Sequence, residues 1–321
     1  MTKKKKNFGI LGVAGYIAPR HLKAIKETGN TLVAALDKHD SVGILDSYAP
    51  DASFFTEFER FERYCLKHHT RKDQEKIDYI SICTPNYLHD AHIRFGLRIG
   101  ADVICEKPLV INPWNLDDLK KFEEETNKKI FTILQLRLHP SLIALKKMVD
   151  ESPADKIFDI KLTYITPRGN WYPISWKGDE KKSGGIIYNI GIHFFDMLSW
   201  IFGKNVKSIV HCYEDKRSSG YLELERARVQ WFLSLESQDL QFVSKKGKTF
   251  RSITIDTKEI EFSDGFTDLH TLSYREVLGG RGFRIGDVES SINIAYEIRH
   301  SETVGLKGDY HPMSHIFLNN K

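Results

Sequence analysis

Four groups of residues in this sequence have the types and spacing to do chemistry. In "GILGVAGYIAPRH", Gly12, Gly15 and Ala18 give G-x-x-G-x-x-A between an apolar run and a helix-like segment. Glycine there lets a pyrophosphate approach the backbone, and the following helix N-terminus offers N–H groups and partial positive charge. The turn is one residue longer than the usual G-x-G-x-x-G/A, and a glycine turn alone can be purely structural. Asp37 ends a second apolar run, 25 residues after Gly12. A carboxylate at that point bonds both ribose hydroxyls and repels the extra phosphate of NADP. No arginine follows in "LDKHD", so NAD is favoured, with Lys38 the one contrary residue.

The second group is "CTPNYLH", where Thr84, Pro85 and Asn86 turn the chain after another apolar run. Open α/β sheets bind ligands at such carboxyl ends, although a plain loop and helix cap fit the same residues. His89 and His92 lack a nearby acidic or cysteine partner, which favours a helix-surface or cofactor-facing role over a metal site. The third group is "ICEKPLVINPWN". An apolar strand ends there by placing Lys107 between Glu106 and Pro108, either as ordinary surface or as a fixed ammonium aimed into a cleft. The fourth is "NIGIHFFDML", with Asn189 and His193 four residues apart and so on one helix face. Taken alone, the apolar setting of His193 favours a core histidine, and asparagine orients a hydroxyl or a ring but is no base.

The elements that must position these residues follow from periodicity. "NFGILG", "TLVAALD", "IDYISIC", "DVICEKP" and "KKIFTILQLR" read as strands, and "APRHLKAIKETG", "LHDAHIRFGLRIG" and "NPWNLDDLKKFEEETN" as helices. "FFTEFERFERYCLKHH" holds a short strand and a helix. In the third helix Asn112 suits the N-cap and Pro113 the first helical position. Alternation of strands and helices predicts a doubly wound parallel sheet over residues 1–135, an NAD-binding domain. After about residue 136 the pattern changes to successive strands: "KIFDIKLTYIT", "VKSIVHCYE", "ARVQWFLSLE", "LQFVSKK", "FRSITID" and "KEIEFS". Two helices, "GIIYNIGIHFFDMLSWIFG" and "GDVESSINIAYEIRHSE", interrupt them. Residues 136–321 are therefore expected to form an α+β domain with a large, mostly antiparallel sheet.

Composition excludes several classes. The net charge of +4 equals that of Lys3, Lys4, Lys5 and Lys6, so the remainder is near neutral and nucleic acid is a poor partner. No apolar run reaches bilayer length, and the N-terminus enters a strand without a cleavable apolar region, so no membrane is expected and a cytoplasmic protein is. Cys65, Cys83, Cys105 and Cys212 are scattered and read as reduced core thiols. His311 and His315 of "YHPMSH" lack the Glu of a zinc-protease signature and read as tail or interface; no metal is expected.

"TPNYLH", "EKP" and "GGIIYNIGIHFFD" in this order resemble the Gfo/Idh/MocA oxidoreductase family over nearly the whole chain. Within it, "AGYIAPRH", "DSVGI", "FFTEFERF", "PNYLHDAHIRF", "ICEKPLV", "LQLRLHP" and "NIGIHFFDML" are most similar to dehydrogenases that oxidise UDP-N-acetylglucosaminuronic acid at carbon 3 of the sugar. The resemblance implies that Lys107 and His193 are catalytic, Lys107 as the ammonium on the reacting oxygen and His193 as base or relay. It implies a cis Lys107–Pro108 bond. It places NAD against Gly12, Gly15, Tyr16, Ile17 and Asp37, then against Thr84, Pro85, Asn86, His89, Glu106 and Lys107. Many relatives carry aspartate where this chain has Asn189; the UDP-sugar-acid branch has asparagine.

Such a substrate carries a pyrophosphate and a carboxylate. Arg137, Arg168 and Lys177 are the first candidates to hold these anions, with Arg281 and Arg284, and with Trp171, Tyr172 and Trp176 to cover sugar or uracil. Lys107, Asn189 and His193 complete the expected substrate contacts. The resemblance further implies a homodimer or homotetramer, 2-oxoglutarate as a hydride acceptor in some relatives, and a place in making an amino-sugar acid of bacterial surface polysaccharide. The rival expectations are a same-fold dehydrogenase of another sugar or cyclitol, and a non-catalytic NAD-binding sensor, against which Lys107 and His193 together argue.

Overall fold

The run "NFGIL" forms β1 (Asn7–Leu11), buried in all but its first residue. In the computed structural model, which describes residues 5–71, 74–243, 249–256, 258–261 and 268–318, β1 lies at the middle of a six-stranded sheet. Its partners are β2 (Thr31–Leu36), β3 (Ser53–Phe55), β4 (Tyr79–Ile82), β5 (Asp102–Cys105) and β6 (Ile130–Thr132), in the order β3-β2-β1-β4-β5-β6. Every pair is parallel. The connecting helices include α1 (Ala18–Glu27), α2 (Phe58–Arg71), α3 (His89–Arg98) and α4 (Trp114–Thr126). Strand order reverses direction between β1 and β4, and the glycine turn and the T-P-N loop leave the carboxyl ends of those two strands. That is the crevice in which doubly wound sheets bind dinucleotides.

Two compact units divide the chain. Met1–Gln135 with Thr267–Val288 form the first, and Leu136–Phe266 with Glu289–Lys321 the second. The sequence reading placed 267–288 in the second domain; the structure gathers it with the first. The reason is burial: between α5 (Pro140–Asp150) and α6 (Ile192–Phe202) upstream and α8 (Ile285–His300) downstream, α7 (Leu269–Leu278) sets Tyr274 and Val277 into the core built on Phe8, Ile10 and Leu22.

The second unit holds a six-stranded sheet of β7 (Phe158–Ile165), β8 (Asn205–Tyr213), β9 (Arg217–Leu224), β10 (Ala227–Ser234), β11 (Phe250–Ile255) and β12 (Lys258–Glu261), ordered β12-β11-β7-β10-β9-β8. Only β7 and β10 run parallel; the other pairs are antiparallel. β9, "RSSGYLEL", was not expected, because small residues have weak strand preference. They are needed here: a Cβ on Gly220 would sit 2.5 Å from the Trp231 ring of β10. "LQFVSKK" is not a strand. Ser237–Phe242 forms a 3₁₀ turn, anchored by the buried Asp239 on the Arg217 guanidinium (2.8 Å) and on Ser234, and residues 244–248 lie outside the described residues. α4 begins two residues after Asn112, with Pro113 rather than Asn112 at the cap. Helix α9 (Pro312–Leu318) lays Met313 on Ile165 and Phe232 of the sheet.

Among the described residues one helical stretch, Glu180–Phe202, is long and apolar enough to cross a membrane, and 72% of its most apolar window is buried inside the fold.

Candidate active site

The glycine turn is built for backbone approach. Gly12 has φ +85°, and a Cβ there would stand 2.8 Å from the Cys83 and Thr84 backbone. Gly15 N–H donates to the Gly12 carbonyl (3.0 Å), closing the turn, and α1 starts at Ala18 without a side-chain cap. A helix N-terminus without a side-chain cap, beside a turn with glycine at positions 12 and 15, fits a pyrophosphate. Asp37 accepts N–H from Ala14 (2.9 Å) and from His39 (3.0 Å), so the carboxylate at the end of β2 is tied directly to the turn. Each oxygen keeps acceptor capacity for a ribose hydroxyl. Tyr16 is exposed and Ile17 half-buried on the same turn.

His89, expected at the cofactor, and His92, expected on the helix surface or facing the cofactor, both fasten loops. His89, buried, meets the Pro108 carbonyl through Nδ1 (2.7 Å) and the Thr84 carbonyl through Nε2 (2.9 Å). It therefore joins the T-P-N loop to the E-K-P loop. Burial lowers its pKa against the opposing pull of those carbonyls. His92 holds the Thr84 hydroxyl (2.9 Å) and stacks on Phe58, and burial lowers its pKa to about 4. Asn86 is buried at the start of the next helical turn, and Pro85 precedes it half-buried.

Lys107 is not ordinary surface. It is half-buried between the buried Glu106 and Pro108, and its peptide bond to Pro108 is cis, as the resemblance implied. Glu106, expected at the cofactor, faces inward. Its Oε1 accepts from His21 Nε2 and His270 Nε2, both at 2.9 Å. Burial would raise this carboxyl, but the two imidazole donors outweigh burial and hold it well below the ordinary range. His21, His270 and Tyr274 were missed from sequence. His21 lay on the apolar face of α1, and "LHTLSY" carries His270 and Tyr274 four apart on one face of α7. Burial drives the thiols of Cys83 and Cys105 well upward, consistent with inert core cysteines.

In the second unit His193 is the second residue of α6, half-buried among buried Ile192, Phe194 and Phe195. The preceding turn, Ile187–Gly191, is π-helical, so the α-helical i, i+4 stacking of Asn189 over His193 does not carry over unchanged. Asn189 Nδ2 donates to the Tyr172 hydroxyl (3.1 Å) and the Lys177 carbonyl (3.0 Å), fastening the loop that holds both. Arg168, Tyr172 and Lys177 line one cleft, together with Glu180, Tyr213 and Lys216. The Lys177 ammonium lies 5.6 Å from the Trp171 ring and 5.7 Å from that of Trp176. Arg137 is placed differently from an anion-holding side chain: it is buried, with Nε 3.0 Å and Nη2 2.7 Å from the two Asp196 oxygens of α6. Arg281 pairs with Glu276, and Arg284 with Glu123 in the first unit.

Residues 6–134 match the Gfo/Idh/MocA oxidoreductase family profile for the NAD-binding Rossmann fold, and residues 146–254 match that for its C-terminal alpha/beta domain. The chain belongs to this family. Among solved structures, the WlbA (WbpB) dehydrogenase from Thermus thermophilus in complex with NAD and UDP-GlcNAcA is 46% identical, with TM-score 0.91, covering 96% of this chain and 99% of that one. The same enzyme in complex with NAD and alpha-ketoglutarate aligns at 47% identity and TM-score 0.90, with the same coverage. Inositol 2-dehydrogenase from Rhizobium meliloti (strain 1021) is 27% identical over 206 residues, 63% of this chain and 56% of that protein. The chain thus spans about half the length of the curated relatives it matches.

For a Gfo/Idh/MocA chain the turn geometry makes a direct prediction. Gly12→Ala puts a methyl group against the Cys83–Thr84 backbone at a φ that disfavours any side chain. The NAD dissociation constant is expected to rise about tenfold or more, read by titrating the quenching of protein tryptophan fluorescence. An unchanged constant would mean that the turn does not hold the pyrophosphate.

Proposed function

We propose that this chain is an NAD-dependent dehydrogenase that oxidises the 3-hydroxyl of UDP-N-acetylglucosaminuronic acid (UDP-GlcNAcA) to the 3-keto product. The observation that carries this reading is the 46% identity, over 96% of the chain, to the Thermus thermophilus dehydrogenase bound to NAD and UDP-GlcNAcA. NAD, when bound, accepts the hydride from the carbinol carbon. Lys107 donates a hydrogen bond to the reacting oxygen and stabilises the negative charge that develops there. His193 takes the hydroxyl proton, a role an imidazole can fill near neutral pH. Arg168 and Lys177 bind the anionic groups of the nucleotide sugar, Trp176 covers one of its rings, and Asn189 orients the loop that carries Lys177. Arg137 supports α6 through Asp196 and so acts on the substrate through His193.

In the same proposal 2-oxoglutarate accepts the hydride from the reduced cofactor, supported by the alpha-ketoglutarate complex of the Thermus enzyme. A homodimer or homotetramer forms through the large sheet of the second unit, whose face α9 covers only in part. The enzyme is cytoplasmic, and its product feeds an amino-sugar acid of a bacterial surface polysaccharide.

Purified protein, incubated with NAD and UDP-GlcNAcA, is expected to generate reduced nicotinamide. Turnover then continues when 2-oxoglutarate is added. Nicotinamide bound without any reduction, with or without 2-oxoglutarate, would sink the substrate assignment and leave the fold and cofactor standing. A panel of inositols and simple sugars in the same assay addresses the cyclitol alternative.

A further inference from the structure

Four elements of the first unit converge on Glu106, the residue before Lys107. Glu106 follows β5, α1 supplies His21, β4 supplies Ser81, and α7 supplies His270 and Tyr274. The geometry fixes the protons on the shared bonds of this cluster, while the buried His270 Nδ1 makes no hydrogen bond among the described residues. An ionised carboxylate only accepts, so both imidazole Nε2 atoms carry hydrogen. In a neutral His21 ring Nδ1 is then an acceptor, and the Tyr274 hydroxyl donates to it at 2.7 Å. The Tyr274 oxygen accepts in turn from Ser81 at 2.6 Å. Burial keeps His21 below its usual pKa and Tyr274 well above its own, which agrees with a neutral ring and an intact phenol. The remaining Glu106 oxygen accepts the Lys107 backbone N–H at 3.3 Å.

A carboxylate 6% exposed keeps its charge only if donors replace water. Here the donors come from α1 and α7, and the charge they hold is bonded to the backbone from which Lys107 projects. We propose that His21, His270 and Tyr274 are positioning residues for Lys107: they lock Glu106 in one ionised rotamer, and Glu106 fixes the Lys107 backbone. The inference rests on the reaction proposed above, because it gives Lys107 a reacting oxygen to meet. It also gives a reason for residues 267–288 to return to the first unit: α7 carries two of the three positioning side chains. Ligand atoms of His21, Glu106 and His270 lie within 4.8 Å of one another, a spacing a divalent cation also uses. Hydrogen-bond distances to one shared oxygen, with His21 fully matched in donor and acceptor, favour the proton-linked arrangement.

The test compares His270→Leu with His270→Gln, which retains an N–H donor, alongside wild type and Lys107→Ala. His270→Leu is expected to lower kcat about tenfold or more, with KM for NAD within about twofold, and His270→Gln is expected to recover most of the loss. Competitive labelling of Lys107 with an amine reagent across pH supplies a readout independent of substrate. Its titration is expected to move by about half a unit or more in His270→Leu and to return in His270→Gln. Should His270→Leu not fold, Tyr274→Phe keeps the ring packing, removes only the hydroxyl donor, and is read the same way. Equal kcat in the Leu and Gln variants, an unmoved Lys107 titration, or one equivalent of divalent metal in the purified protein would each overturn the proposal. Wild-type protein that binds NAD but does not oxidise UDP-GlcNAcA would overturn the functional reading alone, and the labelling titration would still decide the positioning role.

Discussion

Lys107→Ala is expected to lower kcat by about 10²–10³-fold while NAD affinity stays within about twofold. The split follows from where the side chain starts. Its backbone is held by Glu106, and its loop is held by His89 through the Pro108 carbonyl, so removing the ammonium leaves the loop and the dinucleotide turn in place. In the proposed reaction what is lost is the donor to an oxygen that becomes negative only as hydride leaves, which weakens the transition state more than the ground state. His193→Asn is the companion variant. It is expected to lose about 10²–10⁴-fold in kcat. Cofactor affinity comes from fluorescence titration and kcat from steady-state assay. A loss of NAD affinity equal to the loss of rate would show Lys107 to be a cofactor ligand and not a catalytic group.

Local pattern made the first sheet legible. β1, its glycine turn and α1 are contiguous in sequence, β1 as an apolar run buried after its first residue and α1 with Ala18, Leu22 and Ile25 buried on one face, so the turn, Asp37 and the T-P-N loop lie where the pattern places them. The Glu106 cluster was not legible, because its bonds join residues 85, 164 and 253 positions apart. A histidine on an apolar helix face carries no mark of the carboxylate it will meet. A motif likewise shows that a residue type is required, not which way its side chain turns, as the inward bonds of Glu106 and His89 illustrate. α7 was passed over because it is a short, mixed-composition helix whose place in the first core depends on chain return. β9 was passed over because its small residues fit only once Trp231 is known to lie against Gly220.

Arg137 shows the same limit and yields the second large effect. A sequence offers a cation near a polyanionic substrate; the structure closes that cation on Asp196, three residues after His193. The pair is bidentate, both side chains are buried, and the guanidinium lies 5.9 Å from the Trp200 ring. Taking away one partner strands the other charge in a low-dielectric interior, so Arg137→Ala and Asp196→Ala are each expected to cost about 3–5 kcal/mol of stability, measured by urea unfolding. The double replacement Arg137→Met with Asp196→Leu is expected to recover most of that, since two apolar side chains of similar volume leave no buried charge. A phosphate-binding Arg137 gives the opposite pattern: a raised KM for the nucleotide sugar, an unchanged unfolding midpoint in Arg137→Ala, and no recovery in the double variant. The decisive comparison is therefore thermodynamic. If the paired reading holds, Arg137 serves the reaction by keeping the helix that bears His193 seated, and a stability measurement on protein with no substrate present is enough to see it.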